Sequence, residues 1–381
     1  MPSSHPSPLG RRAFLSASAA LASCTRAPAS ASASAPAPSH ALFDAYPTLA
    51  TSLPRLPLAA FPSAIDHATS LLAGAASLFI KRDDVFGGGK VRKLELYLGE
   101  ARAQNKVRLV TSGGVGSNQA LAVALLGKAH GFAVRLHLAP QPSSSLTTRN
   151  LGADAAAGAE LRLFDTVYEG HAEAMRDAQK SGDTYVIPPG GTTPLGTLGF
   201  VSAGLELAED VRAGRMPAPR CIYVALGLGG SAAGLGLGCA LGGLHTEIVA
   251  VRTSNPGTVT RATLRAIHDE TIAFARARDP RFPVVGVESV NVRIDERFVG
   301  AGYGAPSAAG NDAIARAHER EGWELDPVYT GKALAALLGD VRDDPGGRGA
   351  GPLLFWNTMS SRPAVVAEIP AAFRRFARWY R

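Results

Sequence analysis

From residue 77 onward the chain alternates between two hydrophobic rhythms. Short runs rich in β-branched and aliphatic residues predict strands at 77–80, 107–111, 133–138, 185–187, 221–226, 248–251, 284–287 and 353–356. Between them apolar residues recur at three- and four-residue spacing, as at Val91, Leu94, Leu98 and Ala101, which predicts helices. Strands alternating with helices assemble into parallel-rich sheets covered on both faces, an α/β fold. Ligands in such folds meet the carboxyl ends of the strands. The loops that follow strands therefore carry the candidate chemistry.

The first forty residues break this pattern. Arg11-Arg12-Ala13-Phe14-Leu15 puts twin arginines before a short, alanine-rich, weakly apolar stretch. That layout predicts an export signal of the twin-arginine type over residues 1–24. Leu21-Ala22-Ser23-Cys24 has the form of a lipobox, which predicts a lipid anchor at Cys24 and a periplasmic or membrane-tethered protein. Residues 25–41 are dominated by Ala, Ser and Pro. They offer too little apolar surface to offset the entropy of ordering and read as a linker. The folded part is expected to begin near Leu42.

Composition narrows the picture further. A chain of 381 residues has room for two or three structural units. With 46% hydrophobic and 19% charged residues, wholesale disorder is excluded. No apolar stretch reaches the roughly 18–20 residues of a membrane-spanning helix. Residues 1–40 hold Arg11, Arg12 and Arg26 and no acid, so the net charge of +7 falls to +4 for the remainder. The other basic residues are dispersed, which argues against a nucleic-acid partner. Three cysteines are too few for a disulfide scaffold and match no zinc spacing, so no metal site is expected. Cys221 and Cys239 read as buried packing residues.

Three loops stand out: Phe86-Gly87-Gly88-Gly89-Lys90, Ser112-Gly113-Gly114-Val115-Gly116-Ser117-Asn118-Gln119, and Gly227-Leu228-Gly229-Gly230-Ser231-Ala232-Ala233-Gly234. Each opens a helix and offers backbone N–H groups to an anion. The first is not a Walker A loop, because Val91 follows Lys90 and no hydroxyl is available for magnesium. The third fits a relaxed dinucleotide fingerprint, with Arg252 placed to meet a 2′-phosphate; that reading leaves the other two loops without a purpose. Lysine is scarce, seven against 32 arginines. A lysine in a glycine turn therefore points to chemistry a guanidinium cannot do, such as forming a Schiff base; Lys93 and Lys106 read as surface lysines. A Schiff-base lysine beside a separate glycine-rich phosphate cup suggests pyridoxal 5′-phosphate.

Lys81-Arg82-Asp83-Asp84, followed by the lysine loop and Val91-Arg92-Lys93-Leu94-Glu95, resembles the cofactor segment of the 1-aminocyclopropane-1-carboxylate deaminase and D-cysteine desulfhydrase family. The resemblance continues at 113–119, 194–201, 227–234, Gly302-Tyr303-Gly304 and 326–332, and covers roughly residues 45–345. It implies the two-domain tryptophan synthase β-like fold (fold type II). A large cofactor-binding domain would comprise 42–95 and 200–381, and a small inserted domain 96–199. By the resemblance, Lys90 holds pyridoxal phosphate and later acts as a base. Asn118 meets the ring 3′-oxygen, Gly227, Gly229, Gly230 and Ser231 cradle the phosphate, and Thr330 meets the pyridine nitrogen. Ser117 and Gln119 face the substrate, with Ser117 near its carboxylate or relaying a proton, and Tyr303 and Tyr329 line the catalytic pocket. The family also implies a homodimer acting on a small amino acid.

The chain departs from the family in several places. Gly89 stands where Asn is common, Leu228 and Ser231 replace the usual Ser and Thr, and Ala120-Leu121 lacks an expected Arg. Trp356-Asn357-Thr358-Met359-Ser360 replaces His-Thr-Gly-Gly after the last strand, which predicts an altered pocket. Thr330 bears on the reaction. The deaminase has Glu there, which keeps the pyridine protonated; a hydroxyl cannot, so the ring is a weaker electron sink. Expelling a good β-leaving group needs less help than opening a cyclopropane. The expected activity is thus α,β-elimination of D-cysteine to pyruvate, ammonia and sulfide. The alternatives are the cyclopropane deaminase and an exported binding protein that has kept the fold but lost turnover.

Overall fold

The computed structural model describes residues 40–377. The expected export signal, Cys24 and residues 25–39 of the expected linker lie outside the described residues. Packed structure includes the last two residues ascribed to the linker: His40 is 4% exposed, against Phe43 and Ser202, and Ala41 begins the helix Ala41–Ala45.

Among the described residues ten strands form two sheets. In chain order they are β1 (Ile65–Ala68), β2 (Leu78–Lys81), β3 (Arg108–Gly114), β4 (Ala133–Ala139), β5 (Glu160–Leu163), β6 (Thr184–Ile187), β7 (Cys221–Leu226), β8 (Glu247–Arg252), β9 (Val292–Asp295) and β10 (Leu353–Trp356). The order β5-β4-β3-β6 makes an all-parallel sheet from the middle of the chain. The order β1-β2-β10-β7-β8-β9 makes the larger sheet from both ends, parallel except for β1 against β2. The strand expected at 284–287 does not form: Val284 is 71% exposed, and a 3-10 turn follows at Val287–Ser289. The more polar β9 pairs with β8 instead.

Strand alternation explains the core of the larger sheet. Cys221, Tyr223, Leu353 and Phe355 pack on one face, and Ile222, Val224, Leu354 and Trp356 on the other. Helices cover both faces, as a parallel sheet requires. Cys221 and Cys239 are buried and unpaired, and burial pushes both thiols up to about 12.

The expected domain limits at 95/96 and 199/200 fall inside the helices Lys90–Ala103 and Pro194–Arg212. These two helices cross in direct backbone contact, since a Cβ on Gly199 would lie 2.3 Å from the Arg92 carbonyl oxygen. Pro194–Arg212 also meets helix Gly230–Leu241, where a Cβ on Gly238 would lie 2.2 Å from the Val201 oxygen. The starts of the lysine helix and the glycine-loop helix are thereby fixed relative to each other.

A buried ionic cluster anchors the same region. Lys81 Nζ lies 2.6 Å from Asp210 and 2.7 Å from Glu206. Arg92 lies 2.7 Å from Asp83 and 2.9 Å from Glu206. Trp356 Nε1 donates to Asp83 Oδ2 at 2.7 Å. Burial works against the ionised form of Glu206, but Arg92 and Lys81 outweigh it and hold the carboxyl down at about 2.

Candidate active site

The loops after β2, β3, β6, β7, β8 and β10 converge on one cavity of about 510 Å³, within the usual range for small-molecule sites. It brings together Lys90, Ser117, Asn118, Gln119, Gly227, Gly229, Gly230, Ser231, Tyr303 and Tyr329. No Asp or Glu stands among its lining residues. A larger open cleft of about 900 Å³ lies at the amino ends of β7, β8 and β9 and holds none of the expected site residues.

Lys90 opens its helix and donates from Nζ to the Gly190 carbonyl at 3.2 Å. Burial pushes its amine down to about 8. Lys93, one turn along the same face, was expected at the surface but is 1% exposed and lines the cavity. Its Nζ donates to the Gly190 and Gly191 carbonyls, both at 3.2 Å. Burial, and then the neighbouring Lys90, push it well below the ordinary lysine range. A Cβ on Gly230 would sit 3.0 Å from Lys93 Nζ, so this amine stands against the glycine turn. Gly229 adopts φ +97°, which favours glycine, and lets Gly230 and Ser231 start the helix.

Ser117 caps the helix Asn118–Ala129 by accepting from the Ala120 N–H at 3.2 Å. Asn118 Oδ1 accepts from Asn150 Nδ2 at 3.0 Å, which leaves its own Nδ2 as the donor end. Gln119 is 2% exposed, and neither of its amide atoms has a protein partner. Across the cavity the Tyr303 and Tyr329 hydroxyls share a hydrogen bond of 2.9 Å. Burial pushes both phenols up, Tyr329 well above its ordinary value. Val167, Tyr168 and His171 of helix Val167–Ser181 complete one wall and were not foreseen.

Two expected site residues have other partners in the structure. Thr330 does not line the cavity: its hydroxyl is fully buried, donates to Asp326 Oδ2 at 3.0 Å and accepts from the Asp326 N–H at 2.8 Å. Its role is to close the turn that starts the helix Thr330–Asp343. Arg252 is likewise absent from the cavity wall, held by Glu296 at 2.7 Å and the Val259 carbonyl at 2.7 Å, so the dinucleotide reading loses its phosphate contact.

The departing loop after β10 fits its surroundings. The Thr358 carbonyl accepts from the Gly89 N–H at 3.1 Å. A Cβ on Gly89 would lie 3.0 Å from Thr358 Cγ2 and 3.0 Å from Phe200 Cζ. The Gly89 departure and this loop therefore match each other.

The wall suits pyridoxal phosphate. The buried Lys93 amine stands against the glycine turn at a helix start, the half-buried Lys90 amine lines the same cavity, and no acid is there to repel a dianion. Lys93 and the 227–231 turn would hold the phosphate, the Asn118 amide a ring oxygen, and Lys90 the carbonyl carbon. The unpartnered Gln119 amide offers a further polar contact.

Comparisons with known proteins agree. A family model described as pyridoxal-phosphate dependent enzyme matches residues 64–355. The nocardicin C-9′ epimerase of Nocardia uniformis subsp. tsuyamanensis is 35% identical over 84% of this chain and 97% of its own length. A D-cysteine desulfhydrase from Salmonella schwarzengrund is 30% identical over 84% of this chain and 98% of its own. Among solved structures, an ACC deaminase homologue superimposes with a TM-score of 0.67 at 28% identity, covering 84% of this chain and 94% of that one. With Lys90 and the glycine turn inside the matched span, the chain belongs to the pyridoxal-phosphate dependent enzyme family.

Proposed function

We propose that this enzyme catalyses α,β-elimination on a small amino acid, D-cysteine or a close analogue, releasing pyruvate, ammonia and sulfide. The observation that carries the reading is the cavity wall itself, which holds amines, amides and hydroxyls but no carboxylate. Bound there, pyridoxal phosphate draws electron density away from the bonds at the substrate α-carbon. Without a carboxylate to keep its ring protonated, that pull is modest, which favours substrates whose leaving group itself takes up charge.

Lys90, with its amine near 8, would hold the cofactor and, once free, would accept the α-proton at Nζ. Ser117 and Gln119, at the start of helix Asn118–Ala129, receive the substrate carboxylate. The Tyr303–Tyr329 pair supplies a proton to the departing sulfur from the phenol that faces it. Export through Arg11-Arg12, a lipid at Cys24 and a homodimeric state belong to the same proposal and rest on residues 11–24 and the family resemblance.

Pyruvate release from a panel of β-substituted alanines of both configurations, beside 2-oxobutyrate release from 1-aminocyclopropane-1-carboxylate, tests the reading. Faster release of 2-oxobutyrate than of pyruvate from every panel member would overturn it, and no turnover at all would favour a binding role. Epimerisation at the α-carbon is the second reading. It is supported by the 35% identical epimerase and by two separate proton carriers, Lys90 and the tyrosine pair. Inversion without keto-acid release would select it.

A further inference from the structure

Lys332 lies outside the cavity wall yet is 0% exposed. Burying an ammonium is costly, and a methionine would fill the same space without that cost. No ion pair holds it among the described residues. Its Nζ donates instead to the carbonyls of Val299 at 2.7 Å and Gly302 at 3.4 Å. Burial pushes the amine down to about 8, against the pull of nearby Asp326.

Those two carbonyls lead directly into Tyr303. Gly302 sits at φ +117°, and the Tyr303 N–H donates to Asn255 Oδ1 at 2.9 Å. Lys332 itself belongs to the first turn of helix Thr330–Asp343, whose preceding residue is Tyr329. One buried side chain thus ties the loop bearing one tyrosine to the helix bearing the other. Their hydroxyls meet at 2.9 Å, a contact that a small slip of either element would break.

We infer that Lys332 is a positioning residue that clamps the Val299–Tyr303 loop onto the helix after Tyr329 and so holds the Tyr303–Tyr329 hydroxyl pair together. The inference rests on the proposed reading in one respect, that this pair handles a proton during turnover. Removing the clamp should impair the proton step while leaving cofactor and substrate binding in place. A general structural lysine would instead lower stability and affect every step.

The test is a double-mutant cycle on the holoenzyme. Lys332→Met should keep the cofactor absorbance and hold KM within about threefold, while kcat falls about tenfold or more. In a Tyr303→Phe background the same substitution should cost less than about twofold, because the pair is already broken. Equal losses in both backgrounds would overturn the inference. A second readout needs no turnover. With 3-fluorotyrosine incorporated, the fluorine resonances of Tyr303 and Tyr329, assigned through their Phe variants, should shift or broaden in Lys332→Met. Unmoved resonances would also overturn the clamp. If the wild type turns over no amino acid, the proposed activity fails while the fluorine spectra still decide the clamp. If the methionine variant does not fold, Lys332→Gln serves in both measurements, since its shorter side chain cannot span to both carbonyls.

Discussion

Replacing Lys93 by methionine separates cofactor binding from folding, because the two should move in opposite directions. Its amine is buried, donates to two carbonyls at 3.2 Å, lies 5.7 Å from the centre of the Phe200 ring with no counter-ion among the described residues, and stands beside the amine of Lys90. In the apoprotein this charge is a net burden, so Lys93→Met should leave the melting temperature unchanged or raise it by a few degrees. The bound phosphate dianion is the partner that repays the cost. A hydrogen bond between charged groups is worth about 1.5–3 kcal/mol, so its loss should weaken pyridoxal phosphate about tenfold to a hundredfold. The assay pairs absorbance titration of the apoprotein with calorimetric melting at fixed salt, for wild type and variant. Cofactor affinity within about threefold of wild type would refute the reasoning, as would an apoprotein melting temperature lowered by more than about 5 °C.

Other consequences follow from the same geometry. Asp83→Asn removes the carboxylate that pairs with Arg92 and accepts from Trp356, leaving Arg92 short of a buried counter-charge, and should cost about 3–5 kcal/mol in urea unfolding; a loss below about 1 kcal/mol would mean the cluster does not anchor the lysine helix. Only a neutral amine captures the cofactor, and burial lowers Lys90 from the ordinary 10.5 to about 8. The rate of covalent capture by apoprotein should therefore rise with pH and be half-maximal near 8; a midpoint near 10.5 would contradict the buried placement. Replacing Arg11 and Arg12 together by lysine should retain the protein in the cytoplasm, and unchanged cell fractionation would refute the export reading.

Much of this arrangement was legible in the sequence, and what was not has identifiable causes. Glycine turns after apolar runs marked the three loops, because backbone N–H groups at helix starts leave a compositional trace. Lys93 was misread as a surface residue, although its spacing of three from Lys90 placed it on the same helix face. What hid it was the assumption that a second lysine is solvated; its burial depends on the turn after β6, which is remote in sequence. The ring contact expected of Thr330 rests on the family resemblance alone, and in the structure its hydroxyl donates to Asp326, four residues before it. The strands β1, β5 and β9 went unseen because each has four residues and mixes charges with aliphatics. The valine run at 284–287 shows the converse, an apolar pattern that no neighbouring strand recruits. The loop at 357–360 looked disruptive in isolation, but its fit depends on Gly89 and Phe200, far away in the chain.

The central claim is that Lys90, rather than its more deeply buried neighbour Lys93, carries the cofactor. The direct measurement is borohydride reduction of the holoenzyme, followed by proteolysis and mass analysis of the labelled peptide. The account predicts a single pyridoxyl-phosphate adduct on Lys90, and its absence in Lys90→Ala while that variant stays folded. An adduct on Lys93 or Lys332, or a reducible adduct that persists in Lys90→Ala, would contradict it.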